Sequence, residues 1–232
     1  MALPTDGTDT FVREVEENLR RDQARDFARK YGGWLIGAII LFLAAVAGWI
    51  YWQGRQAEAS AAQSERMSEI FADIGAGKTR DVGPRLDAIA KDGGDVVRAS
   101  ALFTAASVSL QQGDRAAALT KYREAQADGD LPQAYRDAAL VRATALEFDT
   151  LKPEDVIARL QPVTKPGNPW FGSAGELTAM AYLKQGKTLD AGRLFAAVAA
   201  DAQAPQSLRA RAVQIAGTLG VDASASAPGL AQ

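Results

Sequence analysis

Gly75-Ala76-Gly77-Lys78-Thr79 is the segment of this chain that most invites a chemical reading, since glycine amides and a lysine can cradle a phosphate. A phosphate loop needs a glycine five residues before Gly77, where Ala72 stands, and a strand before it, where the residues read as helix. Gly186-Lys187-Thr188 fails in the same way, with Ala181 in the glycine position. Both segments are expected to be turns between helices. The carboxylate pairs Glu154-Asp155 and Asp128 with Asp130 fall in predicted turns or helix starts, where acids cap amides and favour the positive helix end. The chain holds no histidine and no cysteine, which removes the commonest general base and metal ligand as well as every thiolate site. A Ser-Lys dyad remains conceivable, but no pair stands out. The sequence therefore predicts no catalytic residue, no metal site and no cofactor. Lysine, arginine and acids are interspersed, with a net charge of −2, so there is no basic stripe for nucleic acid.

The spacing of the glycine turns is more informative than their chemistry. Gly77 and Gly113 are 36 residues apart, and Gly113 and Gly186 are 73 apart, about twice that. A missing turn is expected near residue 150, and Phe148 to Pro153 is a suitable helix break. Few stretches alternate as strands do, so the expected fold is all-α: a solenoid of paired antiparallel helices after a single N-terminal transmembrane helix. In residues 99–132, Leu102 and Ala106 mark a first helix, Gly113 the turn, and Ala118, Tyr122 and Ala125 a second helix before Pro132. Residues 172–205 repeat the pattern with Ala179, Tyr182, Gly186, Ala191 and Phe195 before Pro205, although Val198 stands where a small residue is preferred. The unit 135–168 is degenerate because Pro162 interrupts its second helix, and 58–92 is weaker, with Ile70, Phe71, Leu86 and Ile89 as apolar anchors. Gln206 to Leu219 reads as a terminal cap. These small-residue and aromatic positions resemble the tetratricopeptide repeat, in which small residues let two helices approach and one aromatic fills the gap between repeats.

Before the repeats lies an uncharged run of 19 residues, Trp34 to Trp52. At about 1.5 Å per residue it spans roughly 28 Å, close to the ~30 Å hydrocarbon core of a bilayer. Trp34 at one end and Trp49, Tyr51 and Trp52 at the other are the amphipathic rings expected at headgroup level. Gly33, Gly37, Ala44 and Gly48 place small residues along one face, where a membrane helix of a partner or of a second copy would pack closely. The fifteen residues before the run hold Arg20, Arg21, Arg25, Arg29 and Lys30; the fifteen after it hold Arg55 and Arg66. Positive charge stays on the cytoplasmic side, so residues 1–33 are expected inside and the rest in the periplasm of a Gram-negative cell. The long, partly acidic arm and the length of the run argue against a cleaved signal peptide. The arm itself carries an apolar stripe of Phe11, Val15 and Leu19, continued by Phe27. The expected organisation is a cytoplasmic arm 1–33, a span 34–52, a helical domain 53–220 and a disordered tail 221–232.

The whole layout resembles the membrane-anchored tetratricopeptide family of ancillary SecYEG translocon subunits (the YfgM type). The matching residues are the basic arm ending in Tyr31-Gly32, the closure Gly48-Trp49-Ile50-Tyr51-Trp52, and the Ala/Gln/Glu-rich helix from Gln53 to Ile74. The resemblance implies a periplasmic helical domain beside the translocon, acting with periplasmic chaperones on emerging proteins. A structural scaffold for envelope or division machinery is the alternative. Neither the residues nor the resemblance identifies partner-binding side chains.

Overall fold

A computed structural model describes the backbone of residues 6–223 and the side chains of residues 30, 33, 34, 36–55 and 62–223. The chain divides into two units, residues 1–59 and 60–232. Among the described residues every regular element is an α-helix: α1 (Asp6–Gly75), α2 (Val82–Asp92), α3 (Asp95–Gln111), α4 (Arg115–Ala127), α5 (Gln133–Glu147), α6 (Pro153–Leu160), α7 (Phe171–Lys184), α8 (Thr188–Ala200) and α9 (Gln206–Thr218).

In the first unit, the arm and the apolar run both belong to α1. Among the described residues this helix alone is long and apolar enough to cross a membrane, over Ile36–Arg55, a window 0 % buried within the chain. Trp34, Trp49, Tyr51 and Trp52 are all exposed, with Trp49 and Trp52 5.8 Å apart. Gly37, Ala44 and Gly48 are exposed too, and a Cβ added at Gly37 or Gly48 would meet nothing within 4 Å. The side chains of Tyr31 and of the stripe Phe11, Val15, Leu19 and Phe27 lie outside the described residues.

The second unit is built by successive packing of neighbours: each helix from α2 to α9 packs on the next, and α7 also touches α5 and α9, the first helices of adjacent pairs. The glycine turns explain why the pairs form. Gly77, Gly113 and Gly186 have φ between +73° and +80°, a conformation that costs any residue with a Cβ. At each, the glycine amide donates to the carbonyl three residues back and the next amide to the carbonyl five back: Gly113 to Leu110 and Asp114 to Ser109, Gly186 to Leu183 and Lys187 to Tyr182, Gly77 to Ile74 and Lys78 to Asp73. This is the Schellman closure, which satisfies the orphan carbonyls of a helix end. The amides of Gly77 and Lys78 are thus committed to α1, and the phosphate-loop resemblance there is a helix cap. Gly220 ends α9 in the same way.

The expected break near residue 150 is present. Thr150 and Leu151 donate to the carbonyl of Glu147, and Pro153 opens α6 at its first helical position. The short α6 ends two residues before Pro162. At the far end, Val221 packs against Gly192 and Ala223 is buried, so the packed unit reaches Ala223, three residues beyond the boundary expected from sequence. The tail expected beyond that point lies outside the described residues.

Ion pairs pin neighbouring helices. Glu147 accepts from Arg123 at 2.6 Å and Arg159 at 2.7 Å, tying α5 to α4 and α6. Arg98 on α3 donates to Asp128 at 3.1 Å, while the other Asp128 oxygen accepts from the Asp130 amide at 3.0 Å. Those bonds, the Arg98 guanidinium first, hold the Asp128 carboxyl below its ordinary value of 3.8. A folded pKa below the unfolded one contributes stability that is present above the ordinary value and is lost as pH falls toward the depressed one. Asp128→Asn should therefore lower the melting temperature at pH 7, with the gap closing as pH drops below about 4. Circular-dichroism melts at pH 7 and pH 3 check this; an unchanged gap would assign the loss to the acceptor oxygen replaced by a donor instead of to the charge.

Candidate protein-binding surface

The positions singled out by the repeat pattern divide between core and turn. Leu102, Ala106, Ala118, Tyr122, Ala125, Ala179, Ala191 and Phe195 are buried, Tyr182 is half-buried, and Gly113 and Gly186 are exposed turn residues. Tyr122 sits with Ala106, Ala118 and Ala143, so the α4 ring fills the space between one helix pair and the next. Phe103 meets it edge-on at 5.5 Å, a geometry that suits the ring quadrupoles. Phe195 plays the corresponding part among Ala179, Ala191 and Ala212.

Ile70 is buried but its neighbour Phe71 is 51 % exposed, so Phe71 is not the core anchor its sequence position suggested. It opens a groove that runs along the first helices of successive pairs. One cavity of about 310 Å³ lies between Met67 and Phe71 of α1 and Val96 of α3. The next, of about 370 Å³, lies between Phe71, Phe103 and Arg142; the third, of about 400 Å³, between Arg142, Trp170 and Leu177. Phe71 lines the first two cavities, and Tyr122 and Arg142 line the second and third, so the three adjoin one another in a row.

Trp170, in the proline-rich loop before α7, is a wall of the third cavity. Buried Asp137 accepts from Gln133 at 2.6 Å and from Asn168 at 2.8 Å; the Asn168 oxygen in turn accepts from the Trp170 amide at 2.8 Å. The indole N–H donates to the carbonyl of Ala134 at 2.7 Å. With both its backbone and its ring fastened to α5, Trp170 presents a preset apolar face, which lowers the entropy lost on binding.

Chemically, the groove offers apolar walls, serine and threonine hydroxyls already bonded within α3, and one exposed guanidinium. Among the described residues no group of three or more acids could hold a metal ion. The arrangement can bind a chain.

Comparison with protein families agrees with this construction. The model of the tetratricopeptide repeat-like domain matches residues 25–216. The chain belongs to that family. The matched stretch takes in the apolar run as well as the helix pairs, so the span and the tetratricopeptide-like array fall within one family pattern. No curated protein and no solved structure matches the chain. Domains of this family are typically protein-interaction modules without catalysis of their own, and this chain is accordingly a protein-binding module of that kind.

Arg142, Phe71 and Phe103 were missed as groove residues by the sequence reading. A signal for Arg142 exists: Ala138, Ala139, Ala145 and Leu146 occupy its i±3 and i±4 positions, so α5 offers it no acid.

Proposed function

We propose that this chain is a single-pass inner-membrane protein of the SecYEG-ancillary, YfgM type, whose periplasmic tetratricopeptide-like domain handles emerging polypeptides together with periplasmic chaperones. Residues 1–33 form the cytoplasmic arm, 34–52 the span and 53–220 the periplasmic domain. The observation that carries the reading is the row of adjoining cavities on a helical domain whose chain also holds an exposed apolar helix. Tethering beside a translocation site raises the local concentration of clients far above that of a free binder. The surplus of arginine and lysine before the span supports the orientation, and the Gly48-Trp49-Ile50-Tyr51-Trp52 closure supports the family type.

In-cell crosslinking of the tagged full-length protein, with partners identified by mass spectrometry, tests the reading. Translocon subunits and periplasmic chaperones should be enriched, and lost from a version lacking residues 1–52. Enrichment of cell-wall or division proteins without the translocon would move the function to envelope scaffolding. Replacing Gly37 and Gly48 by leucine in the same assay reports on the small-residue face: an unchanged yield of complexes removes it from the interface.

A further inference from the structure

Arg142 is the cation of the groove that the fold does not use. It is exposed, lines the second and third cavities, and makes no hydrogen bond or ion pair among the described residues. The charges near it are committed. Glu176, the one carboxylate lining those two cavities, accepts both Arg211 Nε at 2.7 Å and Arg211 Nη2 at 2.9 Å. That bidentate pair holds the Arg211 guanidinium above its ordinary value, its hydrogen bond to Glu176 being the first cause. Lys184, also on α7, donates to the Phe148 carbonyl and to Asp149. With Glu176 already neutralised, the groove around Arg142 carries one uncompensated positive charge between two apolar walls.

We infer that the groove selects an extended peptide segment in which a carboxylate seats on Arg142 between two apolar side chains, one beside Phe71 and Phe103, the other beside Trp170 and Leu177. The inference rests on the peptide-binding reading above and narrows it to clients or partners with an apolar–acidic–apolar pattern. A guanidinium offers its donors in a planar fork that a carboxylate meets with two parallel bonds, a geometry that neither an amide nor an ammonium reproduces. The apolar walls lower the local dielectric, strengthening that pair relative to one in open water. A carboxylate can come from an Asp or Glu side chain or from a chain terminus; the chemistry is shared.

The test uses the full-length chain in detergent micelles and short fluorescein-labelled peptides with two leucines flanking a central Glu, Gln or Lys, their ends blocked. A fourth peptide keeps Gln at the centre and a free C-terminal carboxylate. Fluorescence anisotropy should show the Glu peptide binding on the order of tenfold tighter than the Gln peptide, with the Lys peptide weakest. If the free-carboxylate peptide takes that advantage instead, the source is a chain terminus. Arg142→Gln should erase the preference for Glu over Gln while far-UV circular dichroism and the melting temperature stay as they are, since an exposed, unpaired side chain is not part of the fold. Equal binding of the Glu, Gln and free-carboxylate peptides overturns the inference and leaves the groove reading standing. No binding of any peptide by a correctly folded chain overturns both. A change in the sedimentation of the chain alone on Arg142→Gln would make a second copy the occupant, and the inference would fall.

Discussion

Phe195→Ala is expected to cost about 3–5 kcal/mol and to unfold the C-terminal helices before the rest of the helical domain. The Phe195 ring is 1 % exposed and lies among Ala179, Ala191, Ala199, Ala212 and Ala216. Phe171, Val198 and Leu208 share that core, so the cost depends on how far they relax into the space the ring vacates. Within the range, the loss rises with the cavity volume that remains after that relaxation. Against a total stability of roughly 5–15 kcal/mol, such a loss is decisive for the segment that bears it. Each helix pair touches only its neighbours, so the damage should remain near α7, α8 and α9 instead of spreading along the array. Hydrogen exchange should show protection falling over residues 171–218 while residues 99–125 keep theirs, and the thermal transition should broaden or split. A single sharp transition shifted as a whole, with uniform loss of protection, would show that the helices unfold as one cooperative block.

The contrast between Phe195 and Phe71 shows which parts of this structure can be read from sequence. Aromatics with alanines one helical turn away, Tyr122 and Phe195, are legible: helices approach closely along the alanine face, and the ring helps fill what gap remains. The turns are equally legible, because a Schellman closure requires a positive φ that favours glycine, and the recurrence of Gly77, Gly113 and Gly186 follows from that. Gln206 to Leu219 as a cap agrees with α9 to within one residue. The groove was not legible. Ile70 and Phe71 are adjacent and both apolar; periodicity cannot assign one to the core and the other to the groove until the neighbouring helix is placed. Trp170 depends on a hydrogen-bonded chain from Asp137 through Asn168 that joins residues 31 positions apart. No local pattern announces such a bond. Phe103 shows the same ambiguity, touching the cores on either side and lining the groove between them.

The second large effect concerns α1. Replacing Leu43 and Val46 by aspartate should move the chain from the membrane pellet into the soluble fraction after alkaline extraction. On an insertion scale, each Leu, Ile, Phe or Val near the centre of a membrane helix contributes about −0.3 to −0.6 kcal/mol. The run from Trp34 to Trp52 holds nine such residues, for a sum of about −3 to −5 kcal/mol. Each central aspartate costs about 2.5–3.5 kcal/mol, so two of them, with two apolar residues removed, reverse the sign. A single substitution only brings the balance near zero and should leave a mixed distribution, which makes the pair the sharper experiment. The helix pairs supply an internal control. Their cores lie within residues 67–223, so circular dichroism of the released protein should keep its helical signal and its upper transition. Retention in the pellet by a well-folded double variant would mean that another segment or a bound partner holds the chain at the membrane. In that event a partner would cover the exposed rings of Trp34, Trp49, Tyr51 and Trp52, since they have no cover among the described residues.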